Sequence, residues 1–245
     1  NAGVLVASGD EWTLSDYAYD TPYQPATTAL VQDLSKTFGG TNYLLLVGNT
    51  NVRASSLNGF INQLTTLGIS VETSESFSLS AASGYDAVFH FGQYFDASQL
   101  ADLGTYLSNG GNAYVSLGGG WYGTAAGEAA TWNPFLAGYG LEAGSTWFSG
   151  QGFENATVAY GPEGATNLNW GYGQSIEPIA GSAAVSYVRG SFANGPENIG
   201  LIGSSRPLGV SAVPEPMTWT MMILGFGLIG LVARRRPQVQ HFAGA

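Results

Sequence analysis

The sequence predicts a doubly wound α/β domain with a mainly parallel sheet and a Gly/aromatic-rich C-terminal extension, followed by a single transmembrane helix. Three observations predict it. Through about residue 140, short apolar runs alternate with segments of helical apolar spacing. The runs are continuously apolar rather than alternating, as strands covered on both faces must be. Near the C-terminus, Met217–Ala233 carries no charge and is followed at once by Arg234, Arg235 and Arg236.

The elements follow in order. Val4–Ser8 is the first predicted strand. Ala26–Phe38 reads as a helix with Leu30, Leu34 and Phe38 on one face. Tyr43–Val47 is the next strand, and Leu57–Leu67 the next helix, with Leu57, Phe60, Ile61, Leu64 and Leu67 in phase. Strands at Ile69–Thr73, Ala87–Phe91 and Ala113–Leu117 come next. Between the last two, Ala97–Leu107 is a helix carrying Leu100, Leu103 and Leu107. Gly110-Gly111 marks a turn, and residues 124–138 form one more helix. Strands joined by amphipathic helices in this way build a sheet with helices on both faces. Residues 141–203 are rich in Gly, Asn and aromatics, with short strands expected at Thr157–Tyr160, Ala184–Arg189 and Ile199–Ile202. They extend the same domain as an antiparallel or irregular addition. The expected organisation is one α/β domain over 1–203, an exposed linker over 204–213, a tail over 214–236 whose helix spans 217–233, and a short terminal segment over 237–245.

Composition narrows the function classes. Charged residues make up 10% of the chain against 44% hydrophobic and 13% aromatic, which does not suit a disordered chain. Residues 1–213 hold four basic and sixteen acidic side chains, a formal charge of −12. Such a surface repels phosphate backbones and argues against nucleic-acid binding. Absence of cysteine removes disulfides, thiolate metal sites and thiol nucleophiles together. The chain begins at Asn1 rather than Met, as expected of an exported protein whose signal peptide has been removed.

The tail carries the most specific signal. A helix over 217–233 spans about 25 Å at 1.5 Å per residue, close to a hydrocarbon core of about 30 Å. Trp219 stands where an indole prefers the interface, and three arginines act as a stop whose charge belongs in the cytoplasm, with residues 1–213 outside. Pro214, Glu215 and Pro216 precede this run, so Pro-Glu-Pro, Trp219, the span and Arg234–Arg236 occur in one order. The arrangement resembles the PEP-CTERM sorting signal in its PEPxxW variant. That resemblance implies recognition by an exosortase, removal of the tail near Pro-Glu-Pro, and a precursor in the inner membrane with its body in the periplasm. The body is then released or attached at the cell surface, in bacteria that make exopolysaccharide. Pro237–Ala245 departs from the family, which usually stops soon after the arginines. Gly225, Gly227 and Gly230 fit a dinucleotide fingerprint, but no acid follows Glu215, so they belong to the membrane helix.

The body resembles class I glutamine amidotransferase-like domains in Asp86–Gly92 (DAVFHFG), Leu103–Gly111 (LGTYLSNGG), Ala113–Gly120 (AYVSLGGG) and Trp132–Leu141 (WNPFLAGYGL). The resemblance implies a flavodoxin-like sheet. Active members carry a cysteine on the turn after a central strand. Here that stretch is Ser116–Trp121, so amidotransferase chemistry is not implied.

Candidate sites in the body are few. Gly118, Gly119, Gly120 and Trp121 follow a strand at the carboxyl edge, where open α/β sheets bind ligands; the plainer reading is a tight turn. Asp10, Glu11, Asp16 and Asp20 form an acidic loop with oxygen ligands suited to Ca²⁺, although their spacing matches no EF-hand and a solvated loop is the plainer reading. His90 with Ser116 is the one histidine–serine pair to nominate, and His90 lies inside an apolar strand, where a hydrogen-bonded core residue is expected. Trp147, Phe148, Trp170 and Tyr172 are candidates for stacking on sugars, against the alternative of local core. No cofactor and no metal are expected. The leading expectation is a non-enzymatic surface or extracellular-matrix protein on an inactive amidotransferase-like scaffold. The alternative is a carboxylate-dependent hydrolase, through Glu128 or Asp96, or a binding module for envelope or exopolysaccharide glycans.

Overall fold

A computed structural model describes residues 2–48, 51–149, 156–160, 167–192 and 196–209. The expected tail, with Pro214, Glu215, Pro216, Trp219, Arg234–Arg236 and the helix over 217–233, lies outside the described residues. Among the described residues no helix is long and apolar enough to cross a membrane.

Five parallel strands form one half of the main sheet: β1 (Leu5–Ser8), β2 (Asn42–Leu46), β3 (Ser70–Ser74), β4 (Ala87–Phe91) and β5 (Asn112–Ser116). The helices α1 (Gln24–Phe38), α2 (Asn58–Thr66), α3 (Leu79–Ala82), α4 (Ala97–Ser108) and α5 (Ala125–Leu136) follow these strands in turn. β1, β4 and β5 are buried throughout, which is why they read as unbroken apolar runs. β3 lies at the edge, is mostly exposed, and carries Glu72 and three Ser/Thr residues, a composition that discourages further pairing.

The remaining strands are β6 (Leu141–Ser149), β7 (Ala156–Tyr160), β8 (Asn167–Leu168), β9 (Tyr172–Pro178), β10 (Val185–Ser191) and β11 (Ile199–Ser204). The main sheet has nine strands in the order β3-β2-β4-β5-β1-β11-β10-β7-β8, and β6 pairs with β9 in a separate antiparallel ribbon. Every pairing beyond β1 is antiparallel. The parallel half is therefore continued by an antiparallel half through direct pairing of β1 with β11, a larger antiparallel share than the expected mainly parallel sheet. Within the parallel half, β2 to β5 follow the 2-1-3-4 portion of the flavodoxin-like order, and β1 takes the fifth place.

Local chemistry places the helices. Pro25 sits in the first turn of α1, where a missing N–H costs nothing. Asp96 begins α4: its Oδ1 accepts from the N–H groups of Ser98 (2.8 Å) and Gln99 (2.9 Å), and Gln99 Oε1 accepts from Asp96 N–H (3.1 Å). Thr124 caps α5 through Gly127 N–H. Asn133, near the end of α5, exchanges hydrogen bonds with both backbone groups of Ala143 and so fixes β6.

The two apolar layers show how the fold is wound. Leu30, Leu34, Phe60 and Leu64 of α1 and α2 pack on one face of the sheet with Val6, Leu45, Phe89 and Tyr114. Ala82, Leu100, Leu103, Trp132 and Leu136 of α3, α4 and α5 pack on the other with Leu5, Leu44, Val88 and Val115. Neighbouring strands β1 and β5 thus send their helices to opposite faces, and so do β2 and β4. At such switch points the loops leaving the carboxyl ends diverge and open a crevice.

The expected linker starts too early. Ser204 is buried in β11, opposite Val6. Ser205 accepts from Leu5 N–H through its Oγ and donates its own N–H to Leu5 O.

Candidate functional site

A cavity of about 800 Å³ opens in the crevice beside β1 and β5. Asp10, Glu11 and Trp12 enter it from the loop after β1. Tyr17, from a turn of 3-10 helix at Asp16–Tyr19, and Asp20 and Tyr23 follow on the same side. Gly118–Gly120 follow β5, Asn51 comes from the loop after β2, and Trp147, Asn169, Gly171 and Tyr172 arrive from the β6–β9 ribbon and its approach. The glycines are there for closeness. Gly118 has φ +94°, and a Cβ on Gly119 would lie 2.2 Å from Gly92 O.

Three buried carboxyls underlie this cavity, and they differ in how they are held. Asp10 Oδ1 accepts from Trp12 N–H (2.8 Å) and Oδ2 from Gly171 N–H (2.7 Å), tying the first loop to a segment 161 residues away. Burial raises its pKa to about 6 against the pull of these backbone donors. Both Glu128 oxygens, from α5, lie 3.1 Å from Gly118 N, beneath the glycine loop, and burial raises this carboxyl to about 7. The Gln174 amide is best satisfied with its nitrogen toward Gly144 O (3.0 Å) and Ala125 O (3.2 Å). Its oxygen then faces Glu128, a pairing that makes the protonated carboxyl the donor.

Glu11 is the third. It is 3% exposed, and its Oε1 accepts from Asn51 Nδ2 at 2.7 Å. Its Oε2 is enclosed against Gly92 without a hydrogen bond of good geometry, and the Trp12 side chain is close enough to favour the carboxylate weakly. Burial raises Glu11 to about 7, opposed by the Asn51 bond and reinforced by repulsion from Asp10 and Glu128. Among the described residues the cavity lining contains no Lys, Arg or His.

Aromatic faces complete the walls. Trp12 and Tyr17 form a tilted pair with centroids 5.8 Å apart, and Trp147 and Tyr172 face each other at 5.4 Å. Among the described residues, four large hydrophobic side chains are exposed: Tyr17 (63%), Tyr94 (51%), Trp121 (45%) and Leu67. The first three all stand on loops at the carboxyl edge of the sheet, around the cavity side of the domain.

The structure sorts the sequence candidates. Gly118, Gly119 and Gly120 line the cavity as expected of a ligand loop, whereas Trp121 stands outside the lining on an exposed neighbouring surface. The acidic loop does not converge. Asp10 turns inward and Asp20 stays at the cavity, while Asp16 holds Gly59 N–H and Asn58 Nδ2 at the start of α2. Among the described residues no group of three or more His, Asp or Glu is arranged to hold a metal ion. Trp147 and Tyr172 line the cavity, but Trp170 is fully buried against Phe192, and Phe148 packs against the core.

His90 and Ser116 make no catalytic pair. Ser116 Oγ donates to the His90 backbone carbonyl (2.9 Å), and His90 Nε2 donates to Gln93 O (3.0 Å). The ring lies between Phe95 and Trp132, and burial lowers its pKa to about 4, so it is neutral. Of the two nominated hydrolase carboxylates, Asp96 is a helix cap and Glu128 is occupied below Gly118. Sequence reasoning missed Asn51 and Asn169; their one signal was position, since Asn51 follows the carboxyl end of β2.

The tail supplies the decisive comparison. Residues 212–236 match the PEP-CTERM protein-sorting motif. The chain is therefore an exported protein: its precursor transits the membrane and is processed by an exosortase on the way to the cell surface. No curated protein matches the chain, and the amidotransferase-like resemblance finds no support in the comparisons.

Proposed function

We propose that this exosortase-sorted protein is a surface or matrix component whose α/β domain binds a glycan in the switch-point cavity without turning it over. One observation carries the reading: the cavity combines aromatic faces with hydrogen-bonding polar groups and, among the described residues, has no basic one. Trp12, Tyr17, Trp147 and Tyr172 offer flat apolar surfaces of the kind that stack on sugar rings, and Asp20 and Asn169 add polar groups for hydroxyls. Exposed Tyr94 and Trp121 at the same sheet edge extend the aromatic surface beyond a single sugar. An anionic polymer is disfavoured by a body of charge −12. The absence of cysteine leaves the turn after β5 without a thiol nucleophile, which suits an inactive scaffold.

The test is calorimetric titration of the full chain in detergent with neutral and amino-substituted oligosaccharides, repeated on Trp147→Ala and Tyr172→Ala. Binding weakened in both variants is the expected result; no binding to any oligosaccharide refutes the reading. The hydrolase alternative is favoured by Glu11, whose pKa near 7 and free oxygen suit a general acid. Of the other carboxyls at the cavity, backbone N–H groups hold Asp10 and Glu128, which leaves Asp20 as the second carboxylate such a mechanism would use. Release of reducing ends, abolished in Glu11→Gln, would establish it.

A further inference from the structure

The aromatic surface at the carboxyl edge of the sheet does not stop at the cavity. Strands β4, β5 and β1 lie side by side, so the segments that leave them stand in that order along the edge. Each carries a ring with an open face: Tyr94 after β4, Trp121 after β5 and Tyr17 after β1. Tyr17 lines the cavity, and the other two lie beyond its lining. Neighbouring strands are about 4.8 Å apart, so the three segments leave the sheet over a width of roughly 10 Å.

Tyr94 and Trp121 stand on a fixed base. Tyr94 is half exposed although its neighbours Gln93 and Phe95 are buried. Gln93 pins the loop, because its O accepts from His90 Nε2 (3.0 Å) and its Nε2 donates to Gly48 O. The Tyr94 ring leans on Tyr122 with centroids 5.0 Å apart. The Tyr122 hydroxyl is saturated: it accepts from Phe95 N–H (2.9 Å) and Trp132 Nε1 (3.1 Å) and donates to Phe95 O (3.2 Å). Trp121 abuts the cavity loop, since a Cβ on Gly119 would lie 2.9 Å from its Cδ1. Rings held in place before a ligand arrives lose little freedom when it does.

Charge and area limit what covers these rings. The stretches 92–96 and 118–124 contain no basic residue, and their one carboxylate, Asp96, is bound in the cap of α4. A body of formal charge −12 repels a second copy of itself and an anionic surface alike. Two half-exposed rings offer about 200 Å², because each buries about 150–250 Å² when fully covered. A stable protein interface takes roughly 800 Å² per partner. A neutral chain one sugar wide satisfies both limits.

We propose that the ligand is a neutral linear polysaccharide bound along its length. One unit sits in the cavity against Trp147 and Tyr172, and another on a second subsite formed by Tyr94, Trp121 and Tyr122. This rests on the glycan reading above and narrows it from sugars in general to a run of several units of one polymer chain.

The experiment titrates the full chain, in a detergent without a sugar headgroup, with the dimers and hexamers of β-1,4-linked glucose and of β-1,4-linked N-acetylglucosamine. In the series that binds, the hexamer is expected to bind at least about tenfold more tightly than the dimer, because its second contact is made within one complex. Tyr94→Ala and Trp121→Ala should each weaken the hexamer about three- to tenfold and leave the dimer unchanged. Tyr94→Phe, which keeps the ring, should bind the hexamer as the wild type does, and Trp147→Ala should weaken both lengths. Equal affinity for the two lengths in the wild type, or a hexamer unaffected by both Tyr94→Ala and Trp121→Ala, overturns the second subsite and leaves the glycan reading intact. A concentration-dependent dimer of the chain that both variants abolish overturns it in favour of a second copy. Failure of every oligosaccharide to bind removes the glycan reading and this inference with it.

Discussion

Replacing Glu11 by Gln should stabilise the unliganded protein above neutral pH and do nothing of the kind in acid. Glu11 titrates near 7 in the folded chain instead of 4.5. The native state therefore keeps its proton to higher pH than the unfolded chain does, and stability falls as pH rises from about 4.5 to about 7, then levels off. Ionised, the carboxyl costs the folded state about 3 kcal/mol. Gln removes the charge and keeps the oxygen that Asn51 bonds. Its amide nitrogen, standing where Oε2 stood, is a buried donor without a partner and gives back about 1–2 kcal/mol. The net gain at pH 8 is about 1–2 kcal/mol, a rise in melting temperature of roughly 2–8 °C for a domain of this size. At pH 4.5, where Glu11 is protonated in the folded wild type and half protonated in its unfolded state, the variant should melt at or slightly below the wild type. Asp10 and Glu128 are common to both proteins, so the difference between the two melting curves reads Glu11 together with its repulsion of those two carboxyls. Scanning calorimetry of both proteins from pH 4.5 to 8 reads it. A difference of constant size and sign across that range would refute the account of Glu11 as a buried, repelled carboxyl.

Three further outcomes are expected. Intact mass of the protein extracted from the cell surface should correspond to loss of the residues after about Pro216, and recovery of the 245-residue form there would count decisively against processing. A chain ending at residue 209 should keep a cooperative unfolding transition, whereas one ending at residue 203 should lose stability, because Ser204 and Ser205 pair with β1 and Gly209 N–H bonds Thr37; equal melting temperatures for the two would place the domain boundary where the sequence alone put it. Asp96→Ala should cost about 1 kcal/mol through its helix cap and leave oligosaccharide affinity unchanged, measured by denaturant unfolding and by calorimetry; a loss of affinity would return Asp96 to the site.

The parallel half was legible because its strands, apart from the exposed edge strand β3, are covered on both faces. Ala87–Phe91 was read from the sequence with the bounds it has in the fold, since every residue of it is buried and apolar apart from His90. The helices were legible where apolar residues recur on one face, as in α1, α2 and α4. Three kinds of element were not. α3 is a single turn, too short to show a period. β6 and β9 contain Gly144, Gly173 and several polar residues, and their pairing shifts register between Ala143 and Trp147, so neither alternation nor an apolar run survives. β11 was recognised but cut short, because Ser204 looks like the start of a linker until β1 is seen beside it.

The sequence by itself determined where the protein goes. A sorting signal is read as a linear segment, so Pro-Glu-Pro, the apolar run and three arginines in order are sufficient, whatever the body does. It also determined that the body is an acidic α/β domain without a thiol. Which residues form a site was decided only by tertiary structure. Asp10 and Gly171 meet across 161 positions because β1 stands where the parallel and antiparallel halves join. Glu11 and Asp10, adjacent in the chain and both buried carboxyls, are held differently by what surrounds them. One carboxyl is saturated by backbone N–H groups, and the other is left with a bare oxygen beneath an aromatic-walled cavity. Desolvation and hydrogen-bond supply are properties of the packed environment, and no spacing along the chain encodes them.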